Sequence, residues 1–300
     1  MNYARYIIKQ MTSDANVGKS KIGWTPVNAL FGSLLARPVD WLKNAFIFHP
    51  NVKVDTSPTD FGLPYEEVWF GGTDGQLLHG WYVPSVRKET AITNPLFIWF
   101  HGNAGNVGHR LAHLRLLREQ VGGSHFVFDY QGFGKSRGKP SATGILDDGR
   151  AAIACAQQHG WMGERPTIYL GESLGAAIAV TLALETPPSH IILLAPFLSL
   201  RAMGEIRLPP LAFLVDRDFN TARLVARLTS PLLVIHGTAD RTIPFRQGYT
   251  LYTLAPQPKR FYGIEGAAHT NLHEAGGERY IRVLREFLSH PEAGTGETIA

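Results

Sequence analysis

The sequence predicts an α/β fold in which a mainly parallel sheet carries helices on both faces. Three observations support this: continuous apolar runs such as Leu96–Phe100, helical stretches that alternate with them, and a G-x-S-x-G motif at Gly171–Gly175. A strand in such a sheet is buried on both faces, so it appears in the sequence as an unbroken apolar run. The motif lies between a strand pattern and a helix pattern, which is the context it requires.

Eight segments have the strand pattern. Glu66–Phe70 and Leu77–Val83 flank a glycine-rich turn and predict an antiparallel hairpin. The other six are Leu96–Phe100, His125–Asp129, Thr167–Leu170, Ile191–Ala195, Leu232–His236 and Arg260–Ile264. Four helices are predicted in this body. One carries Leu111, Leu114 and Leu117, one follows the motif at 176–184, and the other two span Ile145–His159 and Tyr280–Leu288. No repeat or linker divides this body, so residues 61–290 are expected to form one domain.

Residues 1–60 form a basic amphipathic segment in front of the body. Seven Lys/Arg and two acidic residues give residues 1–53 a net charge of +5, compared with +4 for the whole chain. After Thr25-Pro26, apolar residues at helical spacing predict an amphipathic helix: Val27, Leu30, Phe31, Leu34 and Leu35. We expect this face to pack on or near the body, with peripheral membrane contact as the alternative. Residues 291–300 are expected to be a flexible tail.

Charge and cysteine content exclude several classes of protein. Beyond residue 53 the chain carries a net charge of −1, which argues against a nucleic-acid partner. The single cysteine, Cys155, rules out an intrachain disulfide and a cysteine metal cluster. No run approaches the roughly 20 apolar residues of a membrane span, and Met1–Gln10 lacks a signal-peptide pattern. The expectation is a cytoplasmic protein without metal or cofactor, with peripheral contact to a membrane as the alternative.

Ser173 is the predicted nucleophile. A strand that turns sharply into a helix forces the central serine of G-x-S-x-G into a strained conformation and exposes its hydroxyl. The flanking Gly171 and Gly175 are needed because side chains there would collide with the neighbouring strand and helix. A serine hydroxyl also needs a base, an orienting acid and an oxyanion site.

The predicted base is His269, in the loop after the last strand, and the predicted acid is Asp240, in the turn after the preceding strand. The chain order Ser173, Asp240, His269 is the nucleophile–acid–base order of this kind of fold. His273 is the rival base, but it is predicted to lie in the next helical turn. Two rival acids are weaker, Asp129 because it comes too early in the chain and Glu172 because it faces away from the elbow.

The oxyanion site is predicted in the loop that begins at His101. Small residues follow Leu96–Phe100 there, and they allow main-chain N–H groups to approach an oxyanion. The predicted donors are the main-chain N–H groups of Asn103 and of Leu174, the residue after the nucleophile. Asn106 is interpreted as a helix cap and His101 as a structural residue that ties the loops together.

Four stretches resemble one lineage of the alpha/beta-hydrolase superfamily: His101–Asn106, Asp129–Ser136, His236–Pro244 and Gly266–His269. The lineage has a short lid and includes bud-emergence-type hydrolases and depalmitoylating thioesterases. With the aromatic-proline segment Phe46–Pro50, the resemblance covers about residues 46–290. It implies an eight-stranded sheet and cofactor-free hydrolysis of acyl esters or thioesters. Two departures stand out: Glu172 replaces a frequent Gln, and the anchors of membrane-bound members are absent.

The connection between Phe197 and Pro231 is too short for a large lid. This connection, which contains the apolar stretch Leu208–Val215, is expected to form the walls of an acyl pocket together with the N-terminal helix. The predicted function is a carboxylesterase for short-to-medium acyl esters, acting through Ser173, His269 and Asp240. Acyl thioesterase, lipase and peptidase activities remain alternatives, as do a non-catalytic binding protein that retains the fold and a membrane-surface adaptor working through residues 1–50. The oligomeric state stays open.

Overall fold

The computed structural model describes residues 44, 47–86, 94–207, 219–292 and 297–299. The amphipathic helix predicted after Thr25 and the stretch Leu208–Val215 lie outside these residues. The compact unit that holds the predicted body begins at Asn44. The sequence analysis expected a domain at residues 61–290, preceded by a segment that packs on or near it.

Nine of the described strands form one sheet. In chain order the described strands are β1 (His49–Pro50), β2 (Glu66–Gly71), β3 (Leu77–Val83), β4 (Leu96–Phe100), β5 (Ala104–Gly105), β6 (Ser124–Asp129), β7 (Thr167–Glu172), β8 (His190–Leu194), β9 (Leu232–Gly237), β10 (Lys259–Ile264) and β11 (Glu297–Ile299). The order across the sheet is β11-β10-β9-β8-β7-β4-β6-β3-β2. Within it, β3 pairs antiparallel with β2 and β6, and the other neighbours are parallel.

Helices cover both faces of the sheet. They are α1 (Leu111–Gln120), α2 (Ala142–Gln158), α3 (Leu174–Ala183), α4 (Leu200–Arg207), α5 (Thr221–Val225), α6 (Phe245–Leu254) and α7 (Leu272–Ser289). Residues of α1 and α7 share one hydrophobic core with Phe97 and Trp99, whereas α2, α3 and α6 share the other with Ile98 and Phe100. Successive residues of β4 therefore enter opposite cores, as the alternation of side chains along a strand requires.

The segment before β2 is fastened to the loop after β4. Strand β1 pairs in parallel with β5, and the N–H of Asn51 donates to the carbonyl of Gly105 over 3.0 Å. The Thr56 hydroxyl donates to the carbonyl of Gly108 over 3.2 Å. These contacts hold residues 49–56 against the loop after β4.

The eight predicted strands are confirmed, and most bounds shift by one residue or not at all. Strand β11 is an addition: it pairs with β10 in a region that the sequence analysis assigned to a tail. It supplies partners for main-chain groups that would otherwise form the edge of the sheet. Helix α7 is interrupted at Gly277, which has a φ of 49°, so the predicted helix Tyr280–Leu288 is its second part.

Candidate active site

Ser173 lies at the sharp turn between β7 and α3. Its backbone has φ 54° and ψ −112°, the strained conformation predicted for a nucleophile elbow. A Cβ atom on Gly175 would lie 1.8 Å from the carbonyl oxygen of Phe100, and one on Gly171 would lie 2.6 Å from Cα of Ala176. Both distances are far below van der Waals contact, so glycine is required on each side of the serine.

Ser173, His269 and Asp240 form one hydrogen-bonded row. Nε2 of His269 lies 3.2 Å from Oγ of Ser173. Nδ1 of the same ring lies 2.7 Å from Oδ2 of Asp240. Because the carboxylate can only accept, Nδ1 carries the proton and Nε2 presents its lone pair to the serine hydroxyl. The structure therefore brings together the three residues that the sequence analysis selected.

The Asp240 carboxylate is buried and well supplied with donors. Its Oδ1 accepts the main-chain N–H groups of Thr242 at 2.7 Å and Ile243 at 2.8 Å. Burial alone would raise the pKa of Asp240, but hydrogen bonds from His236 and His269 outweigh it and hold that pKa below its usual range. The group is consequently charged at neutral pH and can stabilise a protonated His269.

The predicted oxyanion donors lie beside Ser173. Asn103 and Leu174 line the same cavity as the serine, and their main-chain N–H groups have no hydrogen-bond partner among the described residues. Asn103 is fixed by the segment before β2: its side-chain amide donates to the carbonyl of Ile47 over 2.7 Å, and its own carbonyl accepts the N–H of His49 over 2.8 Å. Two main-chain donors that no described residue occupies are what an oxyanion site needs.

A cavity of about 430 Å³ opens at Ser173. Its walls are mostly apolar, and they come from segments far apart in the chain: Ile47, Phe197, Leu200, Met203 and Ile243, with His49, Gly204 and Thr242. The expectation that the connection after Phe197 contributes walls is confirmed for Phe197, Leu200, Met203 and Gly204. The contribution of Ile47 and His49 was missed. A contact between segments far apart in the chain cannot be predicted from the apolar pattern of either segment alone.

The rejected candidates occupy other positions. Asp129 is buried, and its Oδ1 accepts the N–H of Val107 over 2.9 Å. Glu172 forms an ion pair with Arg110 in which Nε and Oε2 lie 2.9 Å apart. His273 lies in the first turn of α7, as predicted, and outside the hydrogen-bonded row.

The two interpretations in the loop after β4 also hold. The Asn106 side chain caps the 3₁₀ turn Val107–Arg110 by accepting the N–H of Gly108 at 2.9 Å. The His101 ring is buried, and its Nδ1 lies 2.7 Å from the carbonyl oxygen of Gly102. His101 thus stabilises the loop through this hydrogen bond, and it is not among the residues that line the cavity at Ser173.

Within the part of the chain that the structure describes, no cluster of three or more His, Cys, Asp or Glu residues could hold a metal ion. A search of the same residues found no helix with the length and apolar character of a membrane span.

The family model described as serine aminopeptidase, S33, a hydrolase family, matches residues 91–221. An uncharacterized protein of Mycobacterium tuberculosis is 34% identical over 218 residues, which cover 72% of this chain and 76% of that protein. The alpha/beta hydrolase domain-containing protein WAV2 of Arabidopsis thaliana is 28% identical over 77% of this chain and 81% of its own. This chain belongs to the alpha/beta-hydrolase family.

Further similarities agree with this family membership. The protein bem46 of Schizosaccharomyces pombe is 26% identical over 80% of this chain and 81% of its own, in accord with the resemblance found in the sequence. An esterase from Pyrococcus furiosus superposes with a TM-score of 0.67 at 20% identity, covering 81% of this chain and 97% of that chain. An esterase from Exiguobacterium antarcticum gives a TM-score of 0.57 at 18% identity, over 75% and 100%. At these identities, the two structures support the alpha/beta-hydrolase fold alone.

Proposed function

We propose that this alpha/beta hydrolase cleaves carboxylic esters of short-to-medium acyl chains through a covalent acyl-enzyme. The observation that carries the proposal is the row Ser173–His269–Asp240, with 3.2 Å and 2.7 Å between its members and Ser173 in the wall of an apolar cavity. Acyl transfer requires a nucleophile with a base beside it and donors for the oxyanion. The Ser173 hydroxyl next to His269, with the main-chain N–H groups of Asn103 and Leu174 nearby, would meet these requirements.

The reaction has two steps in this proposal. His269 removes the proton of Ser173, the serine oxygen attacks the ester carbonyl, and His269 then gives that proton to the departing alcohol. The main-chain N–H groups of Asn103 and Leu174 bind the oxyanion, each contributing about 3 kcal/mol to the lowering of the barrier. In the second step His269 activates a water molecule, which releases the acid and restores Ser173.

The cavity supports the acyl preference. Its volume of about 430 Å³ is at the lower end of the range of roughly 300–1,000 Å³ typical of small-molecule sites. Leu200, Met203 and Ile243 in its walls offer contacts for an alkyl chain and no charge for a polar one. A chain of medium length would therefore be favoured over palmitoyl.

Two further substrate classes are candidates for the same site. The matching family model is described as a serine aminopeptidase, which favours an amide bond as the second candidate. Thioesters follow from the same chemistry, because a thiolate leaves more readily than an alkoxide. Lipase activity differs from esterase activity in the length of the acyl chain, so a chain-length series separates the two.

The test is hydrolysis of p-nitrophenyl esters from acetyl to palmitoyl by the full chain, beside the variant Ser173→Ala. Serine-dependent turnover with an optimum at medium length is expected. Octanoyl-coenzyme A and an aminoacyl p-nitroanilide provide the thioester and amide arms. Faster serine-dependent turnover in either of these arms would replace the ester assignment. If Ser173→Ala turned over the esters as fast as the wild type, the serine mechanism would be contradicted. If no probe were hydrolysed, the alternative of a non-catalytic binding protein would be favoured.

A further inference from the structure

A second cavity, of about 380 Å³, lies beside His269. It adjoins the proposed site at three points: Ala104 follows Asn103, Glu172 precedes Ser173, and His269 itself forms part of the wall. Its remaining lining residues are Gly105, His109, Arg110, His113, Leu194, Thr270, Leu272 and His273. Neither the esterase mechanism nor the acyl cavity uses these residues.

The two cavities divide the proposed catalytic groups between them. Ser173 and the predicted oxyanion residues Asn103 and Leu174 line the apolar cavity, whereas His269 lines the second one. In acyl transfer the carbonyl group lies against the serine and the oxyanion donors, and the leaving atom lies against the histidine that protonates it. The second cavity is therefore on the leaving-group side of the scissile bond.

The fixed charges of this cavity balance each other. Nε of Arg110 lies 2.9 Å from Oε2 of Glu172, and both side chains are largely shielded from solvent. A terminal nitrogen of the same guanidinium donates to the carbonyl of Ala104 over 3.1 Å. Because Arg110 already has an internal carboxylate partner, the cavity offers no unbalanced positive charge to an anionic ligand.

Two imidazoles of the cavity, those of His113 and His273, add hydrogen-bonding groups without adding charge. The rings of His113 and His273 stack with centroids 4.4 Å apart and 10° between their planes. Nε2 of His113 lies 2.9 Å from the hydroxyl of Tyr280. Burial lowers the pKa of both histidines, and for His113 the neighbouring His273 adds to the effect. At neutral pH each ring is uncharged, with one nitrogen that donates and one that accepts.

We propose that this second cavity binds the leaving group of the substrate, and that the leaving group is an uncharged alcohol carrying several hydroxyl groups. A hydroxyl group both donates and accepts hydrogen bonds. It can therefore bond to these neutral imidazoles, which also do both, and to the side of the Arg110–Glu172 ion pair that faces the cavity. An alkyl leaving group of the same size would form no hydrogen bond with these polar groups. The inference rests on the proposed ester hydrolysis and specifies the substrate class for that same site.

The test uses two esters that differ in hydroxyl groups alone, 2,3-dihydroxypropyl octanoate and propyl octanoate, with the full chain. We expect the wild-type kcat/KM to favour the dihydroxypropyl ester by about tenfold or more, the effect of one or two added hydrogen bonds. A third ester, 2-carboxyethyl octanoate, probes an anionic leaving group and is expected to be the poorest of the three.

Two variants test the residues of the cavity. His273→Phe keeps a ring to stack on His113 but removes both nitrogens, and it should lower the preference for the dihydroxypropyl ester by about tenfold. Glu172→Gln leaves the Arg110 charge unbalanced, and it should raise the relative kcat/KM for the carboxyethyl ester. His159→Phe is the matched control: His159 also stacks on an aromatic ring, Trp161, with centroids 4.4 Å apart, and it lies outside both cavities.

The outcomes separate this inference from the proposed function. If none of the octanoate esters is hydrolysed in a Ser173-dependent way, the ester assignment fails, and the inference fails with it. If all are hydrolysed but the wild type favours propyl octanoate, or if His273→Phe and His159→Phe give the same ratio, the inference alone is overturned. A wild-type preference for the carboxyethyl ester would overturn the uncharged class of leaving group. Thermal unfolding of each variant shows whether the fold is kept.

Discussion

Nε2 of His236 lies 3.0 Å from the main-chain oxygen of Ile243 and 3.3 Å from Oδ2 of Asp240. Both of these atoms are acceptors, so Nε2 carries the proton of the ring. The other nitrogen, Nδ1, is buried and has no partner among the described residues. His236 therefore donates through Nε2. It provides a second donor to Oδ2 of Asp240, the oxygen that also accepts from His269.

Replacing His236 with Phe keeps an aromatic ring beside Phe245 but removes the donor to Asp240. We expect kcat for a medium-chain ester to fall about tenfold with little change in KM, because one hydrogen bond that orients Asp240 is lost. Steady-state kinetics on the purified variant, together with thermal unfolding, measures both effects.

Gly248→Ala tests the same relationship without touching a hydrogen-bonding group. A Cβ atom there would lie 2.2 Å from Nδ1 of His236, so the ring must move, and kcat should fall in the same way. Gly71→Ala is the control, because a Cβ atom at Gly71 meets no atom within 4 Å. Full kcat in His236→Phe would show that the ring is there for packing alone.

Ser173 combines a reactive hydroxyl with a backbone conformation that favours glycine. Both Ser173→Ala and Ser173→Gly should abolish esterase activity, but they should differ in stability. Glycine has no Cβ atom and therefore adopts a φ of 54° without strain. We expect the free energy of unfolding of Ser173→Gly to exceed that of Ser173→Ala by about 1 kcal/mol. Urea unfolding of the two variants measures the difference. Equal stability would mean that the elbow stores no strain.

The sequence was sufficient to select Ser173, Asp240 and His269 because their positions follow from topology. In a parallel sheet the carboxyl ends of the strands meet at one edge, so residues just after β7, β9 and β10 must come together there. The distances of 3.2 Å and 2.7 Å did not follow, because they depend on the packing of loops whose local sequence has no periodic pattern.

Short elements and contacts between distant residues were the parts that sequence reasoning missed. Strands β1 and β5 have two residues each, too few to show an alternating pattern. Arg110 and Glu172 are 62 positions apart, and nothing in either neighbourhood marks them as partners. Helix α4 begins only three residues after Phe197, inside a connection whose apolar residues were interpreted as pocket wall without assigned secondary structure.

Gly175 is the position in the elbow where an added methyl group has the least room. A Cβ atom would lie 1.8 Å from the carbonyl oxygen of Phe100, in the backbone at the end of β4, which cannot move aside like a flexible side chain. We expect Gly175→Ala to lower the free energy of unfolding by about 3 kcal/mol or more and to reduce activity strongly. Chemical unfolding and ester hydrolysis measure the two effects. Gly71→Ala serves as the control, and a stable, fully active Gly175→Ala would contradict the close packing of α3 on β4.

The buried pair His101–Asp129 beneath the predicted oxyanion loop links stability to pH. Nδ1 of His101 donates to the carbonyl of Gly102 over 2.7 Å, so the unprotonated Nε2 faces Asp129, 3.6 Å from its Oδ1. Burial raises the pKa of Asp129 from its ordinary 3.8 to about 7, although the N–H of Val107 lowers it in part. The folded chain therefore binds this proton more tightly than the unfolded chain does. The resulting stability is fully present below about pH 4 and is lost as the pH rises through about 7.

Asp129→Asn should remove that pH dependence. The amide oxygen can accept the N–H of Val107 as the carboxyl oxygen does, and the amide cannot ionise. Urea unfolding at pH 4, 6 and 8 should show similar stability for the variant and the wild type at pH 4. At pH 8 the variant should gain at most about 4 kcal/mol, the equivalent of roughly three pKa units. Asp129→Leu, which loses the acceptor for Val107, should be less stable at every pH. A variant Asp129→Asn with the slope of the wild type would show that Asp129 titrates in the folded protein as it does in the unfolded chain.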